Sequence, residues 1–173
     1  MKTNRFLLGV LLGLAPMAGF AAPATDVRAE VAFLEPEKFT DVRDSYMNSD
    51  VKRTTYLDQL RDHIIDRARS HVPQGYHLAV TFTDIDMAGD FEPWRGPQWD
   101  DVRVVKDIYP PRLNIAFRLT DPEGNVVKEG KRELRDMAFL MKISMSFQSD
   151  SLRHEKALLD DWFRAEFPRP RKK

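Results

Sequence analysis

The sequence predicts an α+β domain, with a mixed sheet of about four strands and two amphipathic helices packed on one face. Three observations predict it. Apolar and polar residues alternate in well-separated segments; a long stretch with helical spacing lies between the first two of these; and the last two are joined by a tight-turn sequence.

In chain order, Val27, Ala29, Val31 and Phe33 alternate with Arg28, Glu30 and Ala32, the period of a half-buried strand that stops near Pro36. From about Val51 to Val72, the residues Leu57, Leu60, Ile64, Ala68 and Val72 form one stripe, while Asp58, Asp62, Asp66 and Arg69 face away. This predicts a helix that Ser49 or Asp50 caps and that Pro73 and Gly75 end. A second strand runs from about His77 to Ile85, with Leu78, Val80 and Phe82 on one face; simple alternation adds Asp84 to that face. The stretch Asp90 to Asp100 is rich in Pro and Gly and reads as a long exposed loop. A third strand covers about Arg112 to Thr120. Asp121-Pro122-Glu123-Gly124-Asn125 suits a turn, so Val126 to about Leu134 returns as a hairpin. Leu152, Leu159, Trp162, Phe163 and Phe167 mark a last amphipathic helix, begun near Ser149 to Ser151 and ended by Pro168. The helical crossover makes the first two strands parallel, and the hairpin adds antiparallel pairing.

Ahead of this domain, Lys2 and Arg5 precede the apolar run Phe6 to Ala15, and small residues follow at Gly19, Ala21, Ala22 and Ala24. These are the parts of a secretory signal peptide, with an apolar run too short to span a bilayer. The expected division is a signal peptide over 1–21, one α+β domain over 22–167 and a basic disordered tail over 168–173. Ala22-Pro23-Ala24 offers a second cleavage site. Without paired Arg residues before the apolar run, the general secretion route is expected. A periplasmic location follows, with release to the medium as the second option. No transmembrane segment is expected after processing.

The chain has 27 basic and 27 acidic residues. The leader takes Lys2 and Arg5 and no acid, so the processed chain is mildly acidic, and a nucleic-acid partner is not expected. There is no cysteine, so stability must come from packing; a thiol nucleophile and a thiolate metal site are excluded.

Among chemical candidates, Asp84, Asp86, Asp90 and Glu92 form an acidic cluster at a strand end. Counted from Asp84, a calcium loop finds Gly89 at its sixth position but Ala88 at the fifth and Arg95 at the twelfth, so the match fails. His63, His71, His77 and His154 have no paired ligand spacing and read as surface or boundary residues. Nucleophile elbows, phosphate loops and dinucleotide turns are absent. No catalytic residue, metal or cofactor is assigned. Trp94 and Trp99, with Arg95 between them, are partner-binding candidates, although the same rings can serve to cover the sheet. Arg95, Arg103 and Arg112 are expected to pair with the acidic cluster, with anion binding as the less favoured reading. Met137, Met141 and Met145 read as core filler.

Several segments resemble one family: Val31-Ala32-Phe33, Phe39-Thr40-Asp41, Pro73-Gln74-Gly75, Thr83-Asp84-Ile85-Asp86-Met87-Ala88-Gly89, Asp101-Val102-Arg103-Val104-Val105, Tyr109-Pro110-Pro111-Arg112 and Leu134-Arg135-Asp136-Met137. The chain is similar in these to an uncharacterised family of exported proteobacterial proteins, domain of unknown function 3016. That resemblance implies one exported domain and assigns no residue a role. The expected function is a non-enzymatic interaction or binding module of the cell envelope, with an envelope protein as partner through the Pro/Trp loop. A small carboxylate-dependent hydrolase is the first alternative, and an envelope stress or metal-handling protein the second.

Overall fold

The computed structural model describes residues 28–43, 50–141 and 150–168. The leader, residues 169–173 of the basic tail, Ser49 and Met145 lie outside them.

The sequence pattern becomes a four-stranded sheet in the order β1-β2-β5-β6. Strand β1 (Ala29–Phe33) is followed by α1 (Asp50–His71) and β2 (His77–Asp86). Next come a small ribbon of β3 (Asp90–Phe91) and β4 (Arg103–Val104), the hairpin β5 (Arg112–Thr120) and β6 (Val126–Arg135), and finally α2 (Arg153–Glu166). β1 and β2 run parallel, Val31 opposite Val80, as the helical crossover requires; β2–β5 and β5–β6 are antiparallel. The hairpin closes through Gly124 N–H donating to Asp121 O at 3.0 Å, with Gly124 at φ 87°, a conformation that favours glycine.

One face of the sheet carries the core. Val31, Leu78, Val80, Phe82, Leu113, Ile115 and Phe117 meet the α1 stripe of Leu57, Leu60, Ile64, Ala68 and Val72 and the α2 residues Leu158, Leu159, Trp162 and Phe163. Phe117, Trp162 and Phe167 pack edge to face at 5.5 to 5.7 Å between ring centres. Polar bonds tie the helices together. Asp160 on α2 takes His63 Nε2 at 2.8 Å and Arg67 Nε at 2.6 Å from α1. His71 is buried rather than at the surface, its Nδ1 2.7 Å from Phe167 O. Glu166, at the end of α2, receives Lys128 and Arg132 from the outer strand β6, each at 2.9 Å.

Three expectations need correction. First, Asp84 does not share the face of Leu78, Val80 and Phe82. The pairing register shifts between Phe82 and Asp84, so Thr83 and Asp84 together oppose Asn114. This β-bulge sends Asp84 to the opposite face and gives the core place to fully buried Ile85. Second, the stretch 90–100 is not an irregular exposed loop. It begins in the β3 ribbon and continues through 3-10 turns at Pro93–Arg95 and Pro97–Trp99, with Phe91 and Glu92 buried. Third, Met137 and Met141 are exposed, 63% and 84%, and Phe139 between them is the side chain that fills the core.

A bulge residue is surplus to the ladder, which yields a contrast between two deletions. Removing Thr83 restores simple alternation, with Phe82 and Ile85 still inward, and should leave a cooperatively folding chain weakened by about 1–2 kcal/mol. Removing Thr81 turns every inward residue before it or after it to the wrong face and should abolish the cooperative denaturant transition. Equal melts for the two deletions would contradict the register.

Candidate functional site

Where the bulge ends, the chain builds a cleft. After β1 the backbone leaves the sheet through a 3-10 turn at Pro36–Lys38 and returns at Asp41, whose N–H donates to Ile85 O at 2.9 Å. Met87 N–H donates in turn to Asp41 O at 3.1 Å, so Asp41 pairs with Asp86 as an isolated parallel bridge. Asp84, re-aimed by the bulge, holds this return in place. Its two carboxylate oxygens accept Thr40 N–H at 2.7 Å and the Thr40 hydroxyl at 2.8 Å.

Register then carries the row across the sheet. Asp41 lies beside Asp86, Asp86 opposite Arg112, and Arg112 opposite Arg135. All four line a cleft of about 350 Å³, together with Thr40, Arg43, Met87, Gly89, Asp90 and Tyr109. Gly89 has φ 83°, and a Cβ there would stand 2.9 Å from Val104 O, so the loop lies against the ribbon because this residue is glycine.

The charges differ in how they are engaged. Asp41, 6% exposed, accepts Arg103 Nη1 at 2.8 Å and Nη2 at 3.1 Å and also Arg43 Nε at 3.1 Å. Asp90 accepts Phe91 N–H at 2.7 Å and stands 3.8 Å from Arg43. Asp86 has Arg112 at 3.4 Å. Burial raises its pKa above the usual carboxylate value; Arg112 opposes that rise, and Asp41, Asp84 and Asp90 add to it. Arg112 Nε is buried with no hydrogen-bond partner. Behind the cleft, fully buried Glu155 of α2 accepts Ala88 N–H at 2.7 Å, while its Oε2 has none. Desolvation raises the Glu155 pKa.

The structure brings Asp84, Asp86 and Asp90 together but sends Glu92 elsewhere. Glu92, 1% exposed, sits under the Trp loop with Lys106 at 2.5 Å, Arg95 at 2.6 Å and the Tyr109 hydroxyl at 3.2 Å. The Lys106 hydrogen bond leads in lowering its pKa. Trp94 is 71% exposed, whereas Trp99 is half-buried with the Arg95 guanidinium 5.2 Å from its ring centre. The three flanking arginines do pair with acids: Arg95 with Glu92, Arg112 with Asp86, and Arg103 with Asp41 outside the expected cluster. The sequence reading missed Asp41, Arg43, Arg135 and Glu155 as cleft components. Only strand register and tertiary packing bring them there. Among the described residues no group of three or more His, Asp or Glu is placed to hold a metal, and no helix is long and apolar enough to cross a membrane.

Glu155 gives a pH prediction. A carboxyl whose folded pKa is raised holds its proton more tightly in the folded state, so stability falls as pH rises from the ordinary carboxylate value through the folded one. Glu155→Gln keeps an acceptor for Ala88 N–H and removes the buried charge. The variant should melt higher than the parent at neutral pH and lose less stability between mildly acidic and neutral buffer. Parallel pH profiles of the melting temperature would contradict this.

No curated protein and no solved structure matches the chain. One family model does, described as protein of unknown function (DUF3016), over residues 27–165. That span takes in every strand above, α1 and all of α2 but Glu166, and almost all of the described chain; the protein therefore belongs to this family.

Proposed function

We propose that the chain is an exported, periplasmic, non-enzymatic binding module of the cell envelope, and that it binds through the cleft and the Trp94 turn beside it. The observation that carries this reading is an exposed indole on a fixed support next to a formed cleft. The Trp94 turn rests on Glu92, which is held by Arg95, Lys106 and Tyr109. Tyr109 also lines the cleft, so the two features share a wall. An indole has only two side-chain torsions, so on a supported backbone turn it loses little conformational freedom on binding, which suits an anchor. The family-like segments around Thr40, Asp86, Tyr109 and Arg135 meet in this cleft. Export is supported by the charged start, short apolar run and small residues of 1–24.

A small carboxylate-dependent hydrolase is the second reading, favoured by Asp86, a part-buried carboxyl with a raised pKa in a cleft, as a general acid requires. It ranks lower because the adjacent carboxylates Asp41 and Asp84 already accept several protein donors and leave Asp86 without a free partner for acid-base work. The metal-handling alternative lacks a ligand cluster among the described residues.

Two measurements test the proposal in a Gram-negative host expressing the full chain. Intact mass of the periplasmic protein should correspond to a start between Ala22 and Thr25; a chain keeping Met1 to Ala21 would contradict export. p-Benzoylphenylalanine incorporated at Trp94 should give discrete cross-linked species on illumination, and incorporation at exposed Glu123 on the hairpin turn should not. Equal labelling at both positions, or none at Trp94, would defeat the binding role. Cleavage of chromogenic esters, phosphates or glycosides by the parent chain and not by Asp86→Asn would place the hydrolase reading first.

A further inference from the structure

The cleft row has a feature that a binding site explains and a purely structural one does not. This inference rests on the reading of the cleft as a binding site and names the chemistry it takes. Arg112 and Arg135 are directly opposite on β5 and β6, and both line the cleft. Like charges at facing cross-strand positions are destabilising. Elsewhere on the same pair of strands the sequence places opposite charges face to face, as with Arg118 and Glu129, which meet at 3.0 Å.

The surrounding acids reach Arg112 only at long distance, and none among the described residues pairs with Arg135. Asp41 belongs to Arg103 and Arg43, and Asp90 faces Arg43. Asp84 is occupied by Thr40 and lies 3.8 Å from Arg112, and Asp86 lies 3.4 Å from it, both long for a charge-assisted bond. The Arg112 Nε–H is buried and unsatisfied, a costly state for a charged donor. Arg135 is exposed, and its guanidinium has no ion-pair partner among the described residues. Beside the pair, Ile108 is 65% exposed while lining the cleft, which adds an apolar wall to the two cationic forks.

We propose that Arg112 and Arg135 form the anion subsite of the cleft, and that its ligand carries a carboxylate or phosphate group there with a small apolar portion against Ile108. A planar guanidinium presents paired donors that match either oxyanion, so two cross-strand neighbours lining one cleft supply the donors for one such group. The anion relieves the cross-strand repulsion and offers an acceptor to the Arg112 fork. Asp86, next in the row, limits how much negative charge the ligand brings close to β2.

The test follows the arginine Nε–Hε resonances of the processed full chain by NMR, with the Arg112 signal identified by its loss in Arg112→Lys. Inorganic phosphate and acetate are titrated separately, against sodium chloride at matched ionic strength. The Arg112 resonance should shift saturably with one or both oxyanions and not with chloride, and the tighter of the two identifies the group. Arg135→Gln should weaken that binding about tenfold or more, the loss of one charge-assisted bond. Because Arg135 is exposed and unpaired, the variant should melt no lower than the parent, which separates lost binding from lost folding. No saturable shift with either oxyanion, or unchanged affinity in Arg135→Gln, would overturn the assignment. Persistence of position-94 cross-links in that case would leave the binding module standing and remove only the anion subsite; absence of cross-links together with clear phosphate or acetate binding would do the reverse.

Discussion

The guanidinium of Arg103 is the interaction on which the cleft end of the molecule depends. It donates to both Asp41 oxygens, to Gly89 O at 2.9 Å and to Arg43 O at 2.7 Å, and it lies 4.7 Å from the centre of the Phe91 ring. One side chain thereby joins the return after β1, the loop after β2 and the β3–β4 ribbon. Each of these segments is too short to hold a shape alone, since a two-residue ribbon contributes few ladder bonds. Burying Asp41 without this partner would be strongly unfavourable, by an amount typical of broken buried pairs, about 3–5 kcal/mol. The polar knot therefore does at this end what hydrophobic burial does under the sheet. The arrangement also suits a chain with no cysteine, which has no covalent way to fasten its loops.

Periodicity made most of the architecture legible. The stripe from Leu57 to Val72 and the alternation from Leu113 to Leu119 are long enough for burial to dominate, and there the structure agrees with the sequence. The bulge was not legible, because one surplus residue leaves no mark on composition and Thr83 is an ordinary strand residue. Its effect is nonetheless large, since it exchanges the faces of Asp84 and Ile85 and so decides that a carboxylate, not an alkyl group, meets Thr40. Glu92 was grouped with the aspartates by proximity in sequence. Proximity misleads there because Asp90–Phe91 is the β3 strand and the chain then enters the 3-10 turn at Pro93–Arg95, at whose start Glu92 finds Lys106 and Arg95. The row itself unites residues from far-apart segments. Asp41 and Arg135 become neighbours of one cleft only through strand order, which no local pattern announces.

The helices contribute less directly but still reach the site. Glu155 stands on the buried face of α2, two turns from the Trp162 and Phe163 cluster, and it takes the Ala88 N–H that the tight loop leaves over. A helix anchored by aromatic packing thus fixes a backbone group that lines up Met87 and Gly89 at the cleft wall. Local propensity places α2, core packing orients it, and a single carboxyl passes that orientation on to the site.

The ordered row of two acids followed by two bases has a consequence for encounter with a ligand. Its charges largely cancel at a distance, and the whole chain has a formal net charge of zero. At physiological ionic strength the field of such a dipolar line fades over a Debye length of about 8 Å. Long-range steering is therefore weak, and a ligand of the kind proposed would associate in the uncharged regime of about 10⁵–10⁶ M⁻¹s⁻¹ rather than by electrostatically guided capture. Inside the cleft the same line is strong and points one way, from β6 towards the Asp41 return. On the proposed binding reading, polarity would be read after arrival, so such a site would discriminate by the orientation a molecule must adopt to stay and would express its selectivity in residence time.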